Sequence, residues 1–394
     1  MIPGAHPLEG RLRSYPWGGD TFLRDLTGAG GDGPAAEWWL GAHPDAPSLV
    51  RSPTGDAPLD AVVAAAPEAI LGPAVAARFG RLPFLLKVLD VRGMLSLQVH
   101  PDRARARRRF AEEAGLPAER RRYRDDNHKP EMMVALDRFH VLHGFRPVEA
   151  IAGALSRHAG TRDLAAEVTR RGLRAAYAAL FDLPGEEIEH RLADVVAVGR
   201  DADDGAPEHW LARAADAFGP RDPGLFAFFF LDLLILAPGE AIHQPAGLLH
   251  GYLHGRCIEL MANSDNVIRA GLTTKPVDVA ELLEVIDAVP SPPHRMPATS
   301  PAPRITRWAA PCEDFALDLV RPVPDAPTIF VAEGPEILLA MAGAARVEAA
   351  NGRFDLPRGG ALLLTAGARA ALTGMPGTEV FRARVGLEAV PARA

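Results

Sequence analysis

The sequence predicts a mainly β protein with a helical insertion, and three observations lead to this fold class. Short apolar runs separated by Gly and Pro, such as LPFLLKVLDV at 82–91, indicate strands and turns within residues 1–100. Residues 147–222 are rich in Ala and Arg and have the spacing of helices. Strand-like runs return at 225 and resume again after a Pro-rich linker at 291–304.

The length of the chain favours more than one domain, because 394 residues are too many for a single ordinary core. We expect a catalytic β domain formed by residues 1–146 and 225–290, interrupted by a helical insertion at 147–224. Residues 291–394 would form a second β domain. No histidine follows His294, so we expect this last domain to be structural and to lack a histidine-based metal site.

Composition excludes several classes of partner and location. The formal net charge of −7 argues against a nucleic-acid-binding protein, whose surface is basic. The longest apolar run, 225–237, contains Asp232 and is shorter than the ~20 residues of a membrane span. No secretory leader is recognisable, and the two cysteines cannot form a disulfide framework. We therefore expect a cytoplasmic protein without nucleic-acid or membrane partners.

The stretch LSLQVHPD, residues 95–102, has an unusual polar row. With the period of a strand, Ser96, Gln98 and His100 face one side and the intervening apolar residues face the other. Such a row is either solvated or lines an interior that needs polar atoms.

A second stretch, PGEAIHQPAGLLHGYLHG at 238–255, favours the interpretation that the polar row lines an interior. Gly239, Pro245, Gly247 and His250 have the G-x5-P-x-G-x2-H spacing of the second cupin motif, in which the final histidine points into a jelly roll. The fold class is therefore mainly β with an α insertion: a cupin jelly-roll catalytic domain, a helical domain and a second, cupin-like β domain.

The first cupin motif normally supplies two ligands at i and i+2 and a carboxylate on the next strand. Gln98 and His100 provide the pair, and Glu131 in DNHKPEMMVAL provides the carboxylate. With His250 they form a set of two imidazoles, one carboxylate and one amide oxygen, which suits one Zn²⁺ with a position left open. Glutamine is an unusual ligand, and iron or cobalt could occupy the same atoms.

The lysines are a further signal, because only Lys87, Lys129 and Lys275 occur among 43 basic residues. A compact ammonium has properties that the guanidinium fork of arginine cannot imitate. Lysines retained in such an arginine-biased chain are candidates for function.

Several blocks of the sequence resemble the type I mannose-6-phosphate isomerase (phosphomannose isomerase) family of the cupin superfamily. They keep their order, are spread over a region of about two-thirds of the chain (15–278) and read YPWGG (15–19), AEWWLGAHPDAPS (36–48), LPFLLKVLDVRGMLSLQVHPD (82–102), DNHKPEM (126–132) and GYLHGRCIELMANSDNVIRAGLTTKPVD (251–278). The resemblance implies a zinc enzyme of carbohydrate metabolism, including GDP-mannose biosynthesis. It would interconvert D-mannose 6-phosphate and D-fructose 6-phosphate through an enediol.

Carried over by position, the family's zinc ligands fall on Gln98, His100, Glu131 and His250, and its catalytic arginine falls on Arg269. That arginine would neutralise the enediolate or bind phosphate. The resemblance also implies a single sugar-phosphate partner, and we expect a monomer.

The remaining roles are hypotheses. Glu259 and Lys129 are alternative proton-transfer bases, and the sequence does not decide between them. Ser96, Lys87 and Lys275 would form a phosphate pocket with Arg269. His128 and Asp265 are candidates for ring opening, or they orient the ligands by hydrogen bonding.

Other functions remain open on sequence grounds. Another cupin enzyme, such as a metal-dependent oxygenase or a different sugar-phosphate isomerase, would share the metal motif. A non-catalytic sugar-phosphate-binding cupin would keep the pocket, although binding alone needs no base.

Overall fold

The structure is a computed structural model and describes residues 3–52 and 55–387. Within these residues the main strand pairings form three sheets, and the longest helices lie between residues 148 and 218. The predicted class, mainly β with a helical insertion, is what is observed.

The elements of the first part and of the helical insertion alternate short strands with helices. They are β1 (Ala5–Glu9), β2 (Arg11–Arg13), α1 (Phe22–Thr27), β3 (Glu37–Gly41), β4 (Leu49–Val50), β5 (Ala57–Pro58), α2 (Leu59–Ala65), α3 (Pro67–Leu71), α4 (Pro73–Phe79), β6 (Phe84–Val91), β7 (Gln98–Val99), α5 (Arg103–Glu112), β8 (Glu131–Ala135), β9 (Phe139–Phe145), α6 (Val148–Ser156), α7 (Arg162–Arg171), α8 (Leu173–Ala179), α9 (Gly185–Asp201), α10 (Pro207–Phe218) and α11 (Ala227–Phe230).

The remainder of the chain is almost entirely strand. Its elements are β10 (Leu231–Leu236), β11 (Ala241–Gln244), β12 (His250–Ala262), β13 (Ile268–Arg269), α12 (Val279–Val285), β14 (Arg295–Met296), β15 (Thr299–Ala302), β16 (Ile305–Trp308), β17 (Ala316–Val320), β18 (Thr328–Val331), β19 (Glu336–Ala342), β20 (Ala345–Ala349), β21 (Gly352–Leu356), β22 (Ala361–Leu364), β23 (Arg369–Gly374) and β24 (Glu379–Arg384).

The largest sheet carries the predicted site. Its main path runs β14-β11-β8-β12-β6-β3-β2, and β7, β9, β10 and β13 branch from it. Strand β12 serves both parts: its first residues pair with β7 and β9, and residues 255–262 pair with β6 and β8. Gly255, where the partner changes, has φ of +123°, and a Cβ there would lie 2.6 Å from the Phe139 ring. One bent strand therefore carries both His250 and Glu259.

Strand alternation gives this sheet two different faces. Trp39, Lys87 and Glu259 lie opposite one another in register and face the interior. The other face is apolar and joins one hydrophobic cluster with the C-terminal strands, including Trp38, Val88, Ile258, Leu317, Leu339 and Phe381. Full burial of such a side chain contributes about 1.5–3 kcal/mol, so this shared core holds the two β regions together.

The N-terminal strand differs from the predicted domain boundaries. Residues 1–146 were assigned to the catalytic domain, yet β1 pairs with β22 and β4 in the sheet β15-β16-β17-β24-β19-β22-β1-β4-β5. Ala5 is fully buried there among residues of the C-terminal strands. A local pattern identifies a strand but not its partner several hundred residues away. The third sheet, β18-β23-β20-β21, packs on the other face of that sheet.

The largest sheet, on which the predicted site lies, is called the catalytic sheet below. The helical insertion covers the side of this sheet that contains β7 and β9. Leu97, Val99 and Phe145 share a core with Tyr177 and Phe230. In the described part of the chain, no helix has the length and apolar character that crossing a bilayer requires.

Candidate metal centre and active-site cleft

Three side chains with metal-ligating atoms meet in the interior of the catalytic sheet. His100 follows β7, Glu131 begins β8 and His250 begins β12. The His100 Nε2 and His250 Nε2 atoms lie 3.4 and 3.2 Å from the Glu131 carboxylate oxygens. All three side chains are buried, and their ligand atoms lie within 4.8 Å of one another. Three of the four predicted ligands are therefore brought together.

Backbone carbonyls set the tautomer of both histidines. The His100 Nδ1 atom lies 2.8 Å from the Asn266 carbonyl oxygen, and the His250 Nδ1 atom lies 3.0 Å from that of Leu248. Because a carbonyl can only accept, each Nδ1 carries the proton and each Nε2 presents a lone pair. A histidine that ligates a metal usually donates its other ring N–H in this way.

The ligand atoms themselves are buried without hydrogen-bond partners. This is true of His100 Nε2, His250 Nε2 and Glu131 Oε2. Buried polar atoms are normally paired, and nitrogen lone pairs that face a carboxylate repel it. Burial also lowers the pKa of His100 to about 4, so the ring is neutral as a ligand must be. Two imidazole nitrogens and a carboxylate oxygen fit a zinc ion.

Gln98 lies in register with this group. On β7 it is directly opposite His250 of β12 on one side and Arg269 of β13 on the other. Directly opposite residues of antiparallel strands project to the same face. The short ladder therefore aligns Gln98 and Arg269 with the metal-binding face, although only Gln98–Val99 of the stretch 95–102 forms regular strand.

Lys129 contacts the same carboxylate. Its buried Nζ atom lies 2.9 Å from Glu131 Oε1. Burial alone would raise the pKa of Glu131, but the charge of Lys129 and the contact with His100 hold that pKa well below its ordinary value. Glu131 is thus kept as an anion beside the two histidines.

A second buried charge group lies on the neighbouring strands. Lys87 Nζ is 3.1 Å from Glu259 and 3.4 Å from Glu37, and it lies 5.1 Å from the centroid of the Trp39 ring. Burial would lower the pKa of Lys87, but the two carboxylates raise it above its ordinary value. Burial raises the pKa of Glu259, against the opposing charge of Lys87. A carboxyl group shifted in this direction is suited to accept a proton near neutral pH.

A cleft of about 1150 Å³ opens beside these groups. Its lining includes Asp265, Arg269 and Lys275 from the predicted site, together with Arg124 and His43. Such a volume is ample for a sugar phosphate. The cations on its wall provide the charge that a phosphate requires.

Asp265 lies in the cleft against His43. The His43 Nε2 atom is 3.1 Å from Asp265 Oδ2, while its Nδ1 accepts from the backbone N–H of Asp45 at 3.2 Å. Burial would raise the pKa of Asp265, and the bond from His43 lowers it below its ordinary value. Because both ring nitrogens of His43 are engaged, this His–Asp pair is better suited to proton chemistry than to holding a metal.

Comparison with known proteins agrees with this geometry. The family described as phosphomannose isomerase type I, catalytic domain, matches residues 6–148. Mannose-6-phosphate isomerase of Escherichia coli K12 is 35% identical over 372 residues, covering 91% of this chain and 94% of the relative. This chain belongs to the type I phosphomannose isomerase family.

Solved structures of the family have the same fold. A crystal structure of mutant phosphomannose isomerase from Salmonella typhimurium matches with a TM-score of 0.90 and 32% identity, covering 97% of this chain and 100% of that one. A zinc-bound mannose 6-phosphate isomerase matches with a TM-score of 0.88, 32% identity and coverage of 97% and 99%. The predicted fold class and family are confirmed.

Two of the predicted substrate-binding residues, Lys87 and His128, have ion-pair partners within the protein. Lys87 was expected to bind phosphate, but its ammonium is held inside the sheet by Glu37 and Glu259. His128 was expected beside the substrate, but its Nε2 atom is 2.9 Å from Asp314 of the C-terminal region and also contacts Arg103. In both cases a charged partner distant in sequence determines the direction of the side chain. Ser96 is half-buried, two residues before Gln98.

Asn266 was not predicted from the sequence, although it connects His100 to the loop that precedes Lys129. It is fully buried; its carbonyl accepts from His100, and its side-chain oxygen accepts from the Arg124 N–H at 2.8 Å. Its Nδ2 donates to the carbonyls of Asp125 and Asn127, both at 2.8 Å. Asn266 therefore fixes a metal ligand and the loop before Lys129 together. Its only sequence signal is its place within the block MANSDNV.

Gln244 and Tyr252 were also missed. The Gln244 Nε2 donates to the Tyr252 hydroxyl at 3.0 Å, and Gln244 is the register partner of Glu131. Its Oε1 is buried without a hydrogen-bond partner. Alternation along β11 does not mark Gln244, because the adjacent His243 is also polar; only its register with Glu131 places it on the interior face.

Proposed function

We propose that this chain is a zinc-dependent mannose-6-phosphate isomerase, interconverting D-mannose 6-phosphate and D-fructose 6-phosphate. The observation that carries the proposal is the buried group His100, Glu131 and His250, whose ligand atoms face one another without hydrogen-bond partners. A structural neighbour with this fold is described as mannose 6-phosphate isomerase with zinc bound.

Zinc would be held one per chain by His100, Glu131 and His250, with Gln98 as the fourth ligand. When bound, it would supply Lewis-acid polarisation of substrate oxygens. Support for Gln98 comes from its register opposite His250. The remaining steps depend on this chain's own side chains.

Glu259 is the proposed base that moves the proton between C2 and C1. Its pKa is raised chiefly by burial, and it shares the interior face of the sheet with Glu131. Lys129, fixed by Glu131 at 2.9 Å, would act as a charge and hydrogen-bond donor toward a substrate oxygen. Neither the carbon acid nor the enediol oxygens would then need water as a proton carrier.

Asp265 and the cations of the cleft would bind and open the sugar. Asp265, oriented by His43, would exchange the proton needed for ring opening. Arg269 and Lys275, which line the cleft, would bind the phosphate, and Ser96 would complete the phosphate pocket. Lys87 would act as the counter-charge that keeps Glu259 and Glu37 in place, and His128 would position the loop of Lys129.

We also propose that the protein works as a monomer in the cytoplasm, without nucleic-acid or membrane partners. Every residue of the proposed site comes from one chain, so one copy is sufficient. The buried Cys257 and Cys312 are free thiols, as is usual in a reducing compartment. The net charge of −7 gives nucleic acid no electrostatic attraction.

The test compares sugar phosphates and a matched pair of variants. We expect the purified protein to form fructose 6-phosphate from mannose 6-phosphate and not from glucose 6-phosphate. Glu131→Gln should lose both bound zinc and turnover, whereas Glu68→Gln, at an exposed helical position, should keep both. Preference for glucose 6-phosphate would assign a different isomerase, and full activity of Glu131→Gln would remove the metal centre from the proposal.

A further inference from the structure

Five cations that line the cleft have no carboxylate partner within 4.0 Å in the described part of the chain: Arg120, Arg121, Arg124, Arg269 and Lys275. Arg124, Arg269 and Lys275 are the three among them whose charges act on one another. Within residues 3–52 and 55–387, no acidic side chain lies within 4.0 Å of any of the three charged groups. The neighbouring Arg122, by contrast, contacts Glu113 at 2.7 Å and Asp278 at 3.1 Å.

Two of the acidic groups that line the same cleft, Asp125 and Asp265, already have hydrogen-bond or ion-pair partners. The Asp125 carboxylate accepts from Asn127 N–H, the Ser264 hydroxyl and Asp265 N–H at 2.7–2.9 Å. Asp265 accepts from His43. Asp125 and Asp265 are therefore not available as counter-ions to the three cations.

The three cations also act on one another. The nearby positive charge of Arg269 is the main cause that lowers the pKa of Lys275, and Arg124 adds to it. Burial lowers the pKa of Arg269, and Arg124 lowers it further. Such mutual repulsion is unfavourable unless an anion occupies the space between the groups.

Two hydrogen bonds, one from the backbone and one from the guanidinium, fix the position of Arg124. Asn266 accepts its N–H at 2.8 Å, and Asn266 lies three residues before Arg269. One Nη1 hydrogen bond, to the Ala118 carbonyl at 2.8 Å, steadies the guanidinium. The backbone carbonyl of the same residue accepts from His100 Nδ1, so Arg124 and the proposed metal ligand His100 are both fixed by the buried Asn266.

We infer that Arg124 is a phosphate-binding residue that completes a three-cation site with Arg269 and Lys275 for the dianionic phosphate of the substrate. This inference rests on the proposed isomerase function and names a specificity-determining residue for it. Three positive charges match a phosphate monoester, and the guanidinium fork of Arg124 can bind two of its oxygens. The three cations would then bind the phosphate on C6 of the substrate, while C1 and C2 lie toward the metal centre.

The experiment compares Arg124→Gln with Arg124→Lys and with the control Arg121→Gln. Arg121 lies on the same loop, and its guanidinium is bonded to the carbonyls of Leu116 and Ala114. We expect Arg124→Gln to raise KM for mannose 6-phosphate about tenfold with little change in kcat or zinc content, because it loses charge-assisted hydrogen bonds. Arg124→Lys should recover part of the loss.

Inorganic phosphate serves as the second probe. Its affinity for the holoprotein, measured by titration calorimetry, should fall by a similar factor in Arg124→Gln and not in Arg121→Gln. If KM and phosphate affinity change no more than in the control, or if kcat and zinc content fall instead, the inference is wrong. Should the wild type fail to turn over mannose 6-phosphate, the proposed function fails, while the phosphate titration still decides the role of Arg124.

Discussion

Lys87 supplies the positive charge that two buried carboxylates require. Its ammonium lies between Glu259 and Glu37, and all three side chains are buried. An unpaired buried carboxylate is expensive, because the interior replaces little of the water that it loses. The lysine therefore stabilises the fold and holds the proposed base.

We predict that Lys87→Met lowers the free energy of unfolding by about 3–5 kcal/mol, since it leaves two buried carboxylates without a counter-charge. Urea unfolding of the metal-bound protein measures this. Lys275→Met, at an exposed position, is the control and should cost far less. Combining Lys87→Met with Glu37→Gln should restore part of the loss. Equal effects of the two single lysine variants would contradict this account of Lys87.

The proposed metal ligands could be selected from local sequence, and the partners of these side chains could not. Period-two alternation selects Gln98 and His100, and the glycine and proline spacing selects His250. The side chains that orient or neutralise them, such as Asn266 and Glu37, lie far away in sequence and reach the site only through strand register. Local patterns do not contain that register.

At the scale of elements, the contact between β9 and the helical insertion contains a buried histidine. His140 on β9 packs 4.7 Å from the Trp210 ring centroid on α10, and both of its ring nitrogens lack hydrogen bonds. Burial lowers its pKa from 6.5 to about 4, against the pull of Asp204 at 3.4 Å. The helical insertion is therefore docked against a neutral imidazole.

This contact predicts a pH dependence of stability. Between pH 6.5 and about 4 the unfolded state binds a proton at His140 that the folded state does not. Stability from this group is thus present above pH 6.5 and is lost as the pH falls towards 4, by about 3 kcal/mol in total. His140→Phe, which keeps a ring against Trp210, should remove that part of the acid sensitivity in urea unfolding from pH 7 to pH 4.5.

The exposed His190 is the matched control for this effect. His190→Phe should leave the pH profile as in the wild type. A His140→Phe profile that falls as steeply as the wild type would contradict the role given to His140.

Element identities were predicted better than element partners. Helix α12 (Val279–Val285) follows Asp278, whose side chain accepts from Glu281 N–H at 3.0 Å, a cap that is recognisable from the sequence. Strand β1 was recognisable as part of a strand-rich region, yet it joins the C-terminal sheet. His128 turns to Asp314, 186 residues away. Caps are local signals, whereas strand partners and ion pairs are properties of the folded chain.

At the scale of the whole molecule, the two β regions share one hydrophobic core. Leu339 of β19 is fully buried in the same cluster as Val88 and Ile258, which lie behind the proposed active site. Asp314 adds a polar link, with Arg103 Nη2 at 3.0 Å. We therefore expect the catalytic sheet and the C-terminal sheet to unfold together.

Leu339→Ala tests this coupling. Truncation of a fully buried leucine should cost about 2–5 kcal/mol and should shift the loss of secondary structure and the release of zinc by the same amount. Circular dichroism and a chromogenic zinc indicator follow the two events in one urea titration. Zinc retained after the β-sheet signal has been lost would show that the two regions unfold independently.

The most direct test of the central claim is proton NMR of mannose 6-phosphate with the purified protein in heavy water, before and after removal of metal by a chelator. We expect signals of fructose 6-phosphate to appear, their formation to stop when zinc is removed, and turnover to return when zinc is added back. Absence of fructose 6-phosphate from the zinc-loaded protein, or turnover that continues in protein shown by elemental analysis to be metal-free, would contradict it.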